Sequence, residues 1–347
     1  MKNHKWMIID FFDRKKMKDM KRKLFLFLVV CIAIQVWSQN LTLKDIYIRD
    51  PFILPVAEEG VYYMYASSPT KENGVTYGGM VAYKSKDLKT WTGPVRVFDV
   101  PRDNGLTGTV WAPEVHLYNG KYYLFATMNS DIVWKAPKKG HPAYIHRATQ
   151  IYWADRPEGP FQAFENKQPH TPMGQMCLDG TLWVENGVPY MIYCHEWVEM
   201  MDGTMELVEL KPDLSASVGQ PIRLFCASAA EWSTSLNGSE VEPTYVTDGC
   251  FLYRTKTGKL LMIWSSFKNG SYAIGIAESV TGKVFGPWRQ QKEPLFEKDG
   301  GHGMIFKTFE GELRLVLHSP NGGGLERAHL FELEDCGDSL KLKGEVK

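Results

Sequence analysis

Four carboxylates and one histidine stand at the edges of short apolar, strand-like runs in this chain. Asp50 precedes Pro51-Phe52-Ile53-Leu54, and Glu114 follows Trp111-Ala112-Pro113. Asp179 precedes Gly180-Thr181-Leu182-Trp183, and Asp248 precedes Gly249-Cys250-Phe251-Leu252. In the last unit Gly300-Gly301-His302-Gly303 leads into Met304-Ile305-Phe306. A single Asp ahead of a strand is ordinarily a turn or cap residue. Recurrence at one place in a repeated unit points instead to side chains that converge. Converging carboxylates repel, which raises the pKa of at least one of them. A pair with pKa values pushed apart suits glycoside hydrolysis. One group stays protonated to donate to the leaving oxygen, and the other is ionised to activate water or attack carbon.

The repeat that must position these groups is a turn glycine followed by an apolar run. It occurs at Gly60-Val61-Tyr62-Tyr63, Gly120-Lys121-Tyr122-Tyr123, Gly187-Val188-Pro189-Tyr190, Gly258-Lys259-Leu260-Leu261 and Gly311-Glu312-Leu313-Arg314. Asn precedes the second and third of these glycines, and Asn-Gly between apolar runs is a strong hairpin signal. The glycines are 53 to 71 residues apart, room for about four strands each at ordinary strand and loop lengths. Gly93-Pro94, Gly159-Pro160 and Gly286-Pro287 punctuate three units, since proline cannot sit in a central strand. Amphipathic helical runs are hard to find. Five repeats of about four strands predict an all-β chain folded as a five-bladed β-propeller. In that architecture the first strand of each blade lines the central channel. Its start lies at one end of the axis, so Asp50, Glu114, Asp179, Asp248 and His302 are expected to meet there.

The bulk properties fit a neutral substrate. Forty basic and forty acidic side chains cancel, which removes electrostatic steering toward nucleic acid or an anionic membrane. Lys21-Arg22-Lys23, a short apolar run over residues 24–34 and Val36-Trp37-Ser38-Gln39 read as a secretory signal. Residues 1–39 are therefore an extension plus leader, residues 40–347 the propeller, and the mature protein is secreted or periplasmic. Met20 is a candidate true start. The leader is too short to span a bilayer comfortably, and Val29 and Val30 ahead of Cys31 fit a lipoprotein signal poorly. Five cysteines remain beyond it, an odd number at irregular spacing, which reads as buried free thiols rather than a disulfide framework.

Several segments resemble glycoside hydrolase family 43: Ile48-Arg49-Asp50-Pro51-Phe52, Ser85-Lys86-Asp87-Leu88-Lys89-Thr90-Trp91, Trp111-Ala112-Pro113-Glu114-Val115, Arg147-Ala148 with Ala154-Asp155 and Gly159-Pro160-Phe161, and Leu178-Asp179-Gly180. The resemblance covers most of residues 45–335. It implies an inverting mechanism with Asp50 as general base and Asp179 as the residue that tunes and orients the acid. The family's acid is a Glu at the start of the fourth blade, where this chain has Thr247-Asp248-Gly249. Either Asp248 serves with a shifted pocket, or the acid is Glu196 of Cys194-His195-Glu196-Trp197, whose burial against Trp197 would raise its pKa. Glu196 is the favoured reading. A propeller that has lost catalysis and only binds glycan is the alternative from another class.

Arg49, Glu114 and His302 are candidate substrate contacts, and Trp111, Trp183, Trp197 and Trp264 are candidate sugar-stacking rings. The resemblance also places a Ca²⁺ or other ion on the axis at His302, although Ca²⁺ prefers oxygen ligands. No cofactor is required for the chemistry. The implied substrate is a plant glycan containing arabinose, xylose or galactose, with arabinofuranosidase or arabinanase activity first and β-xylosidase or β-1,3-galactosidase next.

Overall fold

Asn119-Gly120 and Asn186-Gly187 carry positive φ at both residues (47° and 76°; 53° and 81°). That is the type I′ geometry whose twist matches the two strands it joins. All five repeat glycines sit in the hairpin between the first and second strands of a sheet. The structure is a computed structural model and describes residues 40–102, 108–137 and 141–346. The leader expected over residues 1–39 lies outside them.

The chain builds five four-stranded antiparallel sheets in succession. Blade 1 contains β1 (Phe52–Val56), β2 (Val61–Ser67), β5 (Gly79–Ser85) and β6 (Trp91–Asp99), with β3 (Thr70–Glu72) and β4 (Val75–Tyr77) as a separate small hairpin. Blade 2 contains β7 (Val110–Tyr118), β8 (Lys121–Lys135), β9 (Tyr144–Ala154) and β10 (Gln162–Ala163). Blade 3 contains β11 (Cys177–Glu185), β12 (Val188–His195), β13 (Thr204–Leu210) and β14 (Ser217–Cys226). Blade 4 contains β15 (Asp248–Arg254), β16 (Leu260–Lys268), β17 (Ser271–Ser279) and β18 (Trp288–Gln290). Blade 5 contains β19 (Gly301–Lys307), β20 (Leu313–Ser319), β21 (Arg327–Asp335) and β22 (Leu340–Glu345).

The first strands of successive blades touch in a closed circle, β1 with β7, β7 with β11, β11 with β15, β15 with β19, and β19 with β1. The fold is the expected five-bladed β-propeller.

The apolar core lies between blades. Leu207, Phe225, Trp232, Met262 and Trp264 fill the space between blades 3 and 4. Ile263, Ile276, Phe296, Leu315 and Leu333 do the same between blades 4 and 5. A central strand covered on both faces reads as a continuous apolar run, which is why Leu260-Leu261-Met262-Ile263-Trp264 lacks alternation. Among the described residues no strand is exchanged to close the ring. Instead the segment before β1 straps blade 5 to blade 1. Leu41 exchanges backbone hydrogen bonds with Trp91 of β6, and the Ile48 amide donates to the Glu326 carbonyl beside β21. Among the described residues no helix is long and apolar enough to cross a membrane. Cys177, Cys194 and Cys250 are buried free thiols as expected, whereas Cys226 is half-buried and Cys336 exposed.

Candidate active site

Four of the five inner strands begin with the same irregularity, and only β1 pairs without it. The pairing of first and second strands slips between Trp111 and Glu114, Leu178 and Thr181, Asp248 and Phe251, and Gly301 and Met304. At the slip sits a residue in the left-handed region: Ala112 (φ 41°), Asp179 (57°), Gly249 (34°) and His302 (49°), with Asp50 (49°) ahead of β1. A bulge of this kind bends the strand and re-aims a side chain. Left-handed geometry costs a non-glycine residue about 1–2 kcal/mol, Asp being among the more tolerant types.

The strained residues are held from the preceding blade. The Asp179 amide donates to Thr127 Oγ1 at 2.8 Å, the His302 amide to Ser265 Oγ at 2.8 Å, and the Asp50 amide to His318 Nδ1 at 3.1 Å. Thr127, Ser265 and His318 occupy one equivalent register position on the second strand. At the fourth blade the equivalent residue is Gly249. Its amide donates to Asp179 Oδ2 at 3.1 Å, and a Cβ there would lie 2.5 Å from the His302 ring. Only glycine fits beside that imidazole.

This scaffold brings Asp50, Asp179 and His302 together. His302 Nδ1 lies 3.2 Å from Asp50 Oδ1 and 3.8 Å from Asp179 Oδ2. The two carboxylates therefore meet over one ring nitrogen, although they belong to blades 1 and 3. Burial disfavours ionisation of Asp50, but the facing His302, His318 and Arg49 outweigh it and hold the carboxyl below the usual range. Asp179 goes the other way. Burial and the neighbouring Asp50 charge push it up to about 7. Asp248 is hydrogen-bonded to Asp179 and accepts from Tyr272 Oη at 2.9 Å. Burial and the Asp179 charge keep its carboxyl well above the usual range.

Glu196 reaches the same region from the end of β12. It is buried and forms an ion pair with Arg147 of β9. Arg147 Nε donates to Asn129 Oδ1 at 2.6 Å, and its guanidinium lies 4.1 Å from the centre of the Trp111 ring, which is 41% exposed. Burial raises the Glu196 pKa against the opposing pull of Arg147. The Glu196 charge acts on Asp179.

A family model described as glycosyl hydrolases family 43 matches residues 44–332. The chain belongs to family 43. It is a glycoside hydrolase. Among solved structures it resembles an endo-arabinase from Bacteroides thetaiotaomicron VPI-5482, with 38% identity over 85% of this chain and 97% of that one, at a TM-score of 0.73. Two further structures share the fold: a thermostable family-43 glycoside hydrolase (23% identity, 86% and 93% of the chains, TM-score 0.68) and an endo-1,4-beta-xylanase from Bacteroides thetaiotaomicron (21% identity, 88% and 97%, TM-score 0.66). No curated protein gives a significant match to this sequence.

In this family 43 enzyme the site departs from the sequence expectation at several residues. Asp50, Asp179 and His302 share one offset, but Asp248 stands one residue before it and Glu114 two after it. The Glu114 carboxylate is buried and paired with His116 Nε2 at 2.8 Å. Trp264 is fully buried against Phe225 and Trp232 and cannot stack on a sugar. Trp183 is paired with Tyr190 near the far end of β11 and packs against the core between blades 3 and 4. Trp111, through Arg147, and Trp197, next in the chain, remain beside Glu196. Arg49 bonds Glu326 Oε1 at 2.9 Å and Asn321 Oδ1 at 2.8 Å, leaving part of its surface open.

Among the described residues no group of three or more His, Cys, Asp or Glu is arranged to hold a metal; His302 Nδ1 faces the carboxylates of Asp50 and Asp179.

His318, Asn321 and Thr127 carried no expectation from sequence, and Arg147 stood there only as part of the Arg147-Ala148 segment. His318 Nδ1 lies 3.1 Å from the Asp50 amide nitrogen and 3.3 Å from Asp50 Oδ1, and its Nε2 lies 3.1 Å from Asn321 Oδ1. A histidine closing the apolar run Leu315-Val316-Leu317 was the available signal.

Proposed function

We propose that this enzyme is an inverting hydrolase of arabinose-containing plant polysaccharide, with Asp50 as base, Asp179 as pKa modulator and Glu196 as acid. The observation that carries the reading is the meeting of Asp50 and Asp179 over His302 Nδ1, at 3.2 and 3.8 Å, with buried Glu196 close enough for its charge to act on Asp179. Asp50 is held ionised, while Asp179 and Glu196 keep their protons into a higher pH range. In this scheme the Asp50 carboxylate takes a proton from water as the oxygen attacks the anomeric carbon. The glycosidic bond breaks, and the leaving oxygen takes the Glu196 proton.

Glu196 is preferred over Asp248 because Asp248 is committed to Asp179 and Tyr272. Glu196 is held on its Arg147 side, next to the exposed Trp111 ring. The arabinan preference draws on the 38% identity to the Bacteroides endo-arabinase. The secretory leader read from sequence suits a polymer outside the cytoplasm.

The test is digestion of debranched arabinan, arabinoxylan and β-1,3-galactan with wild type and Asp50→Asn. Arabinose or arabino-oligosaccharides from arabinan with wild type alone support the proposal. Release from xylan or galactan with arabinan untouched overturns the substrate. Full activity of Asp50→Asn overturns the base.

A further inference from the structure

Directly behind Glu196 lies a cluster that the hydrolytic scheme does not use. His195 is buried, with Nε2 2.9 Å from Glu199 Oε2 and Nδ1 3.3 Å from Glu206 Oε1. Glu206 also accepts from Tyr193 Oη at 2.9 Å and Thr204 Oγ1 at 3.1 Å. With a carboxylate on each nitrogen, His195 is an imidazolium that donates from both sides. Burial opposes the charge, but the two glutamates prevail and raise its pKa to about 9.

The cluster ends on the acid's own backbone. Glu199 Oε2 accepts from the Met176 amide at 2.7 Å, and the Met176 carbonyl accepts from the Glu196 amide at 2.8 Å. The Glu196 carbonyl in turn accepts from the amides of Glu199 and Met200, closing the single helical turn Trp197–Met200. A continuous series of bonds thus runs from Glu206 on β13 through His195 and Glu199 to Met176 and the main chain of Glu196.

We infer that His195 and Glu199 are positioning residues that fix Glu196 for proton donation to the leaving group. The inference rests on the reading of Glu196 as the acid. Arg147 grips the carboxyl from the front, and its pull favours the ionised form. The His195–Glu199 pair acts on the backbone behind, so it sets where the carboxyl stands without taking its proton. Glu196 begins a one-turn helix at the mouth, a piece of chain too short to hold itself. A displacement of about 1 Å at a proton donor costs on the order of a hundredfold in rate.

Leaving-group chemistry separates this role from a merely structural one. A sugar alcohol needs the acid's proton, whereas the anion of a dinitrophenyl glycoside departs without it. Rates on arabino-oligosaccharide and on 2,4-dinitrophenyl α-L-arabinofuranoside are measured for Glu199→Ala, Glu199→Gln, His195→Ala and Glu196→Gln, with the melting temperature of each. Expected for Glu199→Ala and His195→Ala is a fall in kcat of about thirtyfold or more on the oligosaccharide. On the aryl glycoside the fall is several times smaller, and KM changes little on either substrate. Glu199→Gln retains an acceptor for the Met176 amide and regains most of the loss.

Equal losses on both substrates, or an unchanged oligosaccharide rate in Glu199→Ala, overturn the positioning role. Glu196→Gln tests the underlying reading separately. If it keeps the oligosaccharide rate, Glu196 is not the acid. If it loses that rate selectively while Glu199→Ala does not, only the positioning inference falls.

Discussion

Asp50 Oδ1 stands 3.2 Å from Nδ1 of His302, across the boundary between the first and last blades of the propeller. The same nitrogen faces Asp179 Oδ2 at 3.8 Å. Residues 50, 179 and 302 are far apart in the chain, yet left-handed backbone geometry repeated at the start of blades 1, 3 and 5 aims all three at a single point. The consequences are measurable.

The rate of arabinan hydrolysis should follow a bell-shaped pH profile. Asp50 is held below the usual carboxylate range by His302, His318 and Arg49 against the effect of burial, so activity rises early on the acid side. Burial holds Glu196 above that range, so activity falls later on the alkaline side as its proton is lost. Arg147 favours the ionised form of Glu196. Arg147→Met is therefore expected to move the alkaline limb to higher pH, read from kcat/KM across the profile. A shift to lower pH would contradict the assignment.

Asp179 also links pH to stability. Its folded pKa of about 7 lies above the ordinary carboxylate value because of burial and the Asp50 charge. The folded state therefore binds the proton more tightly than the unfolded chain does. The stability tied to that proton is complete below the ordinary value, declines as pH rises, and is gone once pH has passed about 7. Asp179→Asn removes this penalty. Its melting temperature should gain on wild type progressively between about pH 4 and 7 and level off above. Calorimetry at four pH values checks it, and a gain that shrinks with rising pH refutes it.

The two tryptophans on opposite sides of the burial divide should behave oppositely. Trp264 is fully buried between blades 3 and 4, so Trp264→Ala is expected to cost about 3–5 kcal/mol in urea unfolding. Trp111 is exposed and rests on Arg147. Trp111→Ala should raise KM for arabino-oligosaccharide roughly tenfold, equivalent to about 1.4 kcal/mol, with little change in melting temperature. A destabilised Trp111→Ala with normal KM would make that ring structural.

Much of this was legible in the residues. Glycine adopts positive φ at the least cost, so Gly120 and Gly187 announced the hairpins and, by their spacing, the blades. The carboxylates were visible because acids interrupt apolar runs. Their exact offsets were not, since a bulge adds a residue without leaving a composition signal. Asp248 therefore looked equivalent to Asp179 although Gly249 holds that place. Trp183 and Trp264 were misplaced for a related reason. A ring on a β-rich run faces a neighbouring blade or an open end, and only the packing of blade on blade decides which. The grip of Thr127, Ser265 and His318 on the next blade is a contact between distant segments, which a local pattern does not encode.

The most direct measurement follows the first sugar released from debranched arabinan by proton NMR within seconds of mixing. The account predicts that the new reducing end appears first as the β-anomer, with inversion at the cleaved carbon, and that Asp50→Asn releases none. An α-anomer formed first, or release by Asp50→Asn at the wild-type rate, would contradict a base at Asp50 activating water opposite a protonated Glu196.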